Sequence, residues 1–108
     1  MNPNNLKKDE SIKCIIANLT EKLGENYFDI VDHWKDDLCA IGISSPSNNE
    51  VLVYIATSGN VKGYYDVHLE LPPETNDAFP YKSVGEYSGV NIDKLIEIIH
   101  NHFKKSSL

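Results

Sequence analysis

Three side chains able to ligate a metal or move a proton recur at every second position between Tyr64 and Leu71: Asp66, His68 and Glu70. Alternate residues of a β-strand share a face and lie about 6.5–7 Å apart. The three can therefore reach a common ion, with Asp29 or His33 completing an oxygen–nitrogen metal site. The competing reading is a half-exposed strand whose polar residues alternate outward, toward solvent or a partner. Tyr54 and Tyr64 fall on the same alternating set and bring the rigid, amphipathic rings that interfaces favour. His100 and His102 stand two apart in a helical pattern, point to different sides and cannot chelate together. Both are expected at the surface.

Other chemistries lack their signatures. There is no Gly-x-Ser-x-Gly elbow for a nucleophilic serine. Gly85-x-x-x-Gly89 is not followed by the Lys-Ser/Thr of a phosphate loop. Asp66 and Glu70, both on a solvated strand, have no environment that would separate their pKa values for acid–base work. Cys14 and Cys39 lie in apolar runs and read as reduced, buried core thiols. The balance is a non-enzymatic domain without a cofactor and without assigned catalytic or metal-ligating residues.

The 108 residues carry a formal net charge of −6, and all ten basic residues are lysines. Arginine's planar fork is the usual tool for bidentate contact with phosphate and guanine edges. Its absence, on an acidic chain, argues against a nucleic-acid partner. No apolar run approaches the ~20 residues that span a bilayer, and Met1–Glu10 has no signal-peptide core. No membrane partner and a cytoplasmic location are expected.

The elements that must position these residues follow from periodicity. Ile12, Ile15, Ile16, Leu19 and Leu23 have helical spacing, which predicts an amphipathic helix over 6–23 ended by Gly24. Four strands are predicted at 27–34, 38–44, 51–57 and 64–71, joined by short polar turns that favour antiparallel pairing. The stretch 72–90 has no periodicity and reads as a long loop. A second helix follows, with Asn91 as N-cap and Ile92, Leu95, Ile96, Ile99 and Phe103 as its apolar stripe. The expected fold class is a single α+β domain over 1–108. It has two layers: a four-stranded antiparallel meander with the N- and C-terminal helices on one face.

In that fold Phe28, Ile30, Cys39, Ile41, Ile43, Val51, Val53, Ile55, Tyr65, Val67, Leu69 and Leu71 face the helices. The opposite face carries Tyr27, Asp29, Val31, His33, Leu38, Ala40, Gly42, Ser44, Leu52, Tyr54, Ala56, Tyr64, Asp66, His68 and Glu70, with a bulge expected near Asp32 and Trp34. So many tyrosines and small residues imply cover by a partner, by the 72–90 loop or by a second copy of the chain. The acidic residues cluster on the first strand, on the fourth and in the loop, whereas the lysines concentrate in the terminal helices.

Small size, acidity, helix–strands–helix order and an aromatic–acidic sheet face together resemble small bacterial immunity proteins. Such proteins neutralise a cognate toxin, often a basic nuclease, with an acidic surface. The resemblance implies a basic protein partner, engaged here through Tyr54, Tyr64, Asp66, His68, Glu70, Asp29 and His33. A homodimer through the same face is compatible with it. The alternative function is a small-molecule or metal-binding domain, catalytic in one version, centred on Asp66, His68 and Glu70.

Overall fold

A computed structural model describes residues 8–24, 26–31, 37–71 and 82–106. The order is α1 (Glu10–Leu23), β1 (Asp29–Ile30), β2 (Ala40–Ser45), β3 (Asn48–Ala56), β4 (Tyr65–Leu71), β5 (Lys82–Val90) and α2 (Ile92–Ser106). The strands form one antiparallel sheet in the order β1-β2-β3-β4-β5. The class is α+β as expected, but the sheet has five strands rather than four. Among the described residues no helix is long and apolar enough to cross a membrane.

Local chemistry sets the helix ends. The Asp9 carboxylate accepts from Ser11 N at 3.0 Å, satisfying one of the amides that the first turn of α1 leaves without a helical partner. Gly24, at φ 102°, ends the helix where a Cβ would be strained. Asn91 Oδ1 accepts from Lys94 N at 2.9 Å, so Asn91 caps α2 as its sequence position predicts. Ile12, Ile15, Ile16 and Leu19 of α1 and Leu95, Ile98, Ile99 and Phe103 of α2 are buried in one cluster with strand residues. Those strand residues are Ile41, Ile43, Val51, Val53, Ile55, Val67 and Leu69, the set that alternation assigns to one face.

The missed strand is β5. Its register explains why periodicity hides it. Between the pairs Tyr65↔Val90 and Val67↔Tyr87, β4 advances two residues while β5 advances three; between Leu69↔Gly85 and Glu70↔Ser83, β4 advances one while β5 advances two. Each extra residue is a bulge that reverses the in–out phase, so 82–90 reads as loop although it pairs with β4 on both sides of each bulge. The remainder of the expected loop, 72–81, lies outside the described residues. So do Asp32, His33 and Trp34 with the bulge expected there, and strand 27–34 is represented by β1 alone.

Three smaller expectations are corrected. Tyr27 does not face away from the helices: its hydroxyl lies 2.6 Å from His100 Nδ1 and its ring stacks on that imidazole. His102 is buried rather than superficial, with Nε2 3.1 Å from the Glu70 carbonyl. The cysteines are not core residues, since Cys14 is exposed and Cys39 only partly buried.

Candidate functional site: an acidic and aromatic sheet face

Three cross-strand rows make up the face whose residues lie outside the helix-packed cluster. The first runs Ala40–Ala56–Asp66, the second Gly42–Tyr54–His68–Glu86, and the third Asp29–Ser44–Leu52–Glu70. The cover expected for this face is present along β2 without any partner. Ala40, Gly42 and Ser44 are buried within the chain itself, as is Leu52 of β3. Exposure rises across the sheet: Tyr54, Asp66, His68 and Glu70 are half-buried, and Glu86 on β5 is exposed.

The second row holds a connected set of groups. Tyr54 and His68 are direct cross-strand partners, and their rings meet edge-to-face with centroids 5.5 Å apart. His68 Nδ1 lies 3.2 Å from the Glu86 carboxylate, its partner on β5. At the other end the Tyr54 hydroxyl donates to Asp37 Oδ2 over a long 3.5 Å. Asp37 is itself held: its other oxygen accepts from Cys39 N at 3.0 Å, and its carbonyl accepts from Lys8 Nζ at 2.7 Å. Partial burial pushes the Tyr54 phenol above its ordinary range, and the neighbouring Asp37 charge adds to that, so the ring stays neutral and keeps its donor.

Asp66 has a structural task as well as a charge. Its Oδ1 accepts from Gly89 N at 3.0 Å, beside the first bulge of the β4–β5 pairing. Glu70 flanks the second row from the third. Asp37, Asp66, Glu70 and Glu86 thus ring the Tyr54–His68 pair with carboxylates.

The sequence-expected residues divide accordingly. Tyr54, Asp66, His68 and Glu70 come together. Asp29 is exposed on the same face but three strands from Glu70, roughly 14 Å at ~4.8 Å per strand, and does not join them. Tyr64 precedes β4 and lines a cavity beside α1 instead. His33 lies outside the described residues. Asp37 and Glu86 were missed: Asp37 reads as a turn residue, and Glu86 sits in the strand that bulging concealed. Among the described residues no three His, Cys, Asp or Glu side chains are placed to hold a metal ion. Compared with known proteins, the chain matches no family model, no curated protein and no solved structure.

Proposed function

We propose that this chain is a protein-binding domain that engages a basic protein through the Tyr54–His68 pair and its surrounding carboxylates. In its most specific form the reading is an immunity-type inhibitor of a basic bacterial toxin, acting in the cytoplasm without catalysis. One observation carries it: Tyr54, His68 and Glu86 form a continuous row on a face whose β2 residues are buried. A half-buried tyrosine held by neighbours loses little freedom on docking, which suits an anchor. The carboxylates around it steer a cationic partner and raise its rate of encounter.

The metal version of the alternative is less favoured by this geometry, because Asp66 Oδ1 already accepts from Gly89 N and His68 Nδ1 already faces Glu86. A titration of the isotope-labelled protein with an arginine-rich peptide tests the proposal. Shifts confined to Tyr54, Asp66, His68, Glu70 and Glu86, vanishing as salt is raised, are the expected result. Shifts centred on α1 or α2, or none at low salt, would overturn it.

A further inference from the structure

A second feature lies away from that face. Between α1 and the connection from β3 to β4 is a cavity of about 670 Å³, within the ~300–1,000 Å³ range of small-molecule sites. Val61, Tyr64 and Tyr65 give it apolar walls, and Cys14 of α1 and Cys39, in the turn before β2, line it as well. One polar wall is Asp9, Ser11 and Thr57, with Asn18, Ser58 and Asn60 elsewhere in the lining.

Proton counting gives that wall a direction. Ser11 Oγ lies 2.6 Å from Asp9 Oδ2 and 2.8 Å from Thr57 Oγ1. An ionised carboxylate can only accept, so the one Ser11 hydroxyl proton goes to Asp9. The Ser11–Thr57 contact then takes the Thr57 proton, leaving the longer 3.3 Å approach of Thr57 Oγ1 to the Cys39 carbonyl secondary. Ser11 holds the Asp9 carboxyl below its ordinary range, which keeps the chain running toward Asp9 at neutral pH. Both hydroxyl protons are spent. What this wall still offers an incoming molecule is acceptor lone pairs and negative charge. Around the cavity Asp9 and Glu10 stand against Lys62, with Lys13 already 3.5 Å from Glu10.

We propose that the cavity binds a small amine with an apolar body, its ammonium donating to Thr57 Oγ1 and Asp9 while the body packs on Val61, Tyr64 and Tyr65. The two thiols supply the readout. Phenethylamine should raise the melting temperature and slow alkylation of Cys14 and Cys39 by iodoacetamide, whereas phenylacetate, of similar shape and opposite charge, should do neither. Asp9→Asn keeps a good helix cap but removes the charge and should weaken phenethylamine about tenfold, the scale of one charged hydrogen bond. Thr57→Val removes the acceptor without touching the cap and should weaken it in the same direction. Equal protection by amine and carboxylate, protection by neither, or undiminished affinity in both variants would overturn the proposal.

Discussion

Two glycines of β5, Gly85 and Gly89, test its bulged pairing quantitatively, because their alanine variants should differ in stability. Gly89 sits at φ 61°, and its surroundings leave room for a Cβ, whose nearest neighbour would be Asn60 Oδ1 at 3.8 Å. Alanine there meets left-handed strain of about 1–2 kcal/mol. Lower unfolded-state entropy offsets about 0.4–1 kcal/mol of it, leaving a net loss near 1 kcal/mol. Gly85 pairs with Leu69 and has no such φ; a Cβ would meet Leu69 Cδ1 at 3.4 Å and Tyr87 Cε2 at 3.6 Å, both ends of side chains that can give slightly. Gly85→Ala should therefore be neutral or stabilising by up to about 1 kcal/mol. Urea unfolding of the two variants should separate them by roughly 1–2 kcal/mol at unchanged m-value. If Gly85→Ala proves the more damaging, the register assigned to β5, and with it the position of Glu86, is wrong.

Further outcomes follow from burial and titration. Ile55, fully buried at the centre of the sheet, should cost about 2–5 kcal/mol on truncation to alanine, read as a lower urea midpoint. Tyr27, Tyr54 and Tyr65 all have phenols raised above the ordinary 10, each chiefly by burial. The folded state thus holds these protons more tightly than the unfolded one, so their contribution is intact below pH ~10 and is lost as pH rises through the folded values; melting temperature against pH, with Tyr54→Phe as control, measures it. Asp9 has the opposite sign: lowered from 3.8 by its bonds from Ser11, it contributes above that value and loses the contribution as pH falls through its folded pKa. Asp9→Asn should flatten that acid limb of the melting curve.

How far the sequence reaches depends on whether a pattern survives intact. Both helices were legible because their apolar stripes and caps, Asp9 apart, stand in plain succession: Ile12 to Leu19 before Gly24, and Leu95 to Phe103 after Asn91. β4 was legible because its alternation is unbroken, with Tyr65, Val67 and Leu69 buried and Asp66, His68 and Glu70 between them. β5 was not, because two bulges reverse its phase within nine residues; Gly85 and Gly89, isolated in an otherwise strand-compatible run, were the available signal. The burial of Ala40, Gly42 and Ser44 was invisible, since small residues suit either a covered or an open surface. Cys14 shows the converse. It lies beside Ile15 in an apolar run, yet the helical turn places it outside the stripe, facing the cavity.

The claim on which the functional reading depends is that charge around Tyr54 and His68 attracts a cationic partner. Association rates for an arginine-rich peptide, measured against ionic strength for the native chain and for Asp66→Asn with Glu86→Gln, test it most directly. Asparagine at 66 keeps an acceptor for Gly89 N, so the double variant removes two charges while sparing that bond. The account predicts a native rate that falls steeply with salt, as a charge-steered encounter must, and a variant about tenfold slower at low salt with a visibly shallower slope. Equal rates and equal slopes for the two proteins would contradict it.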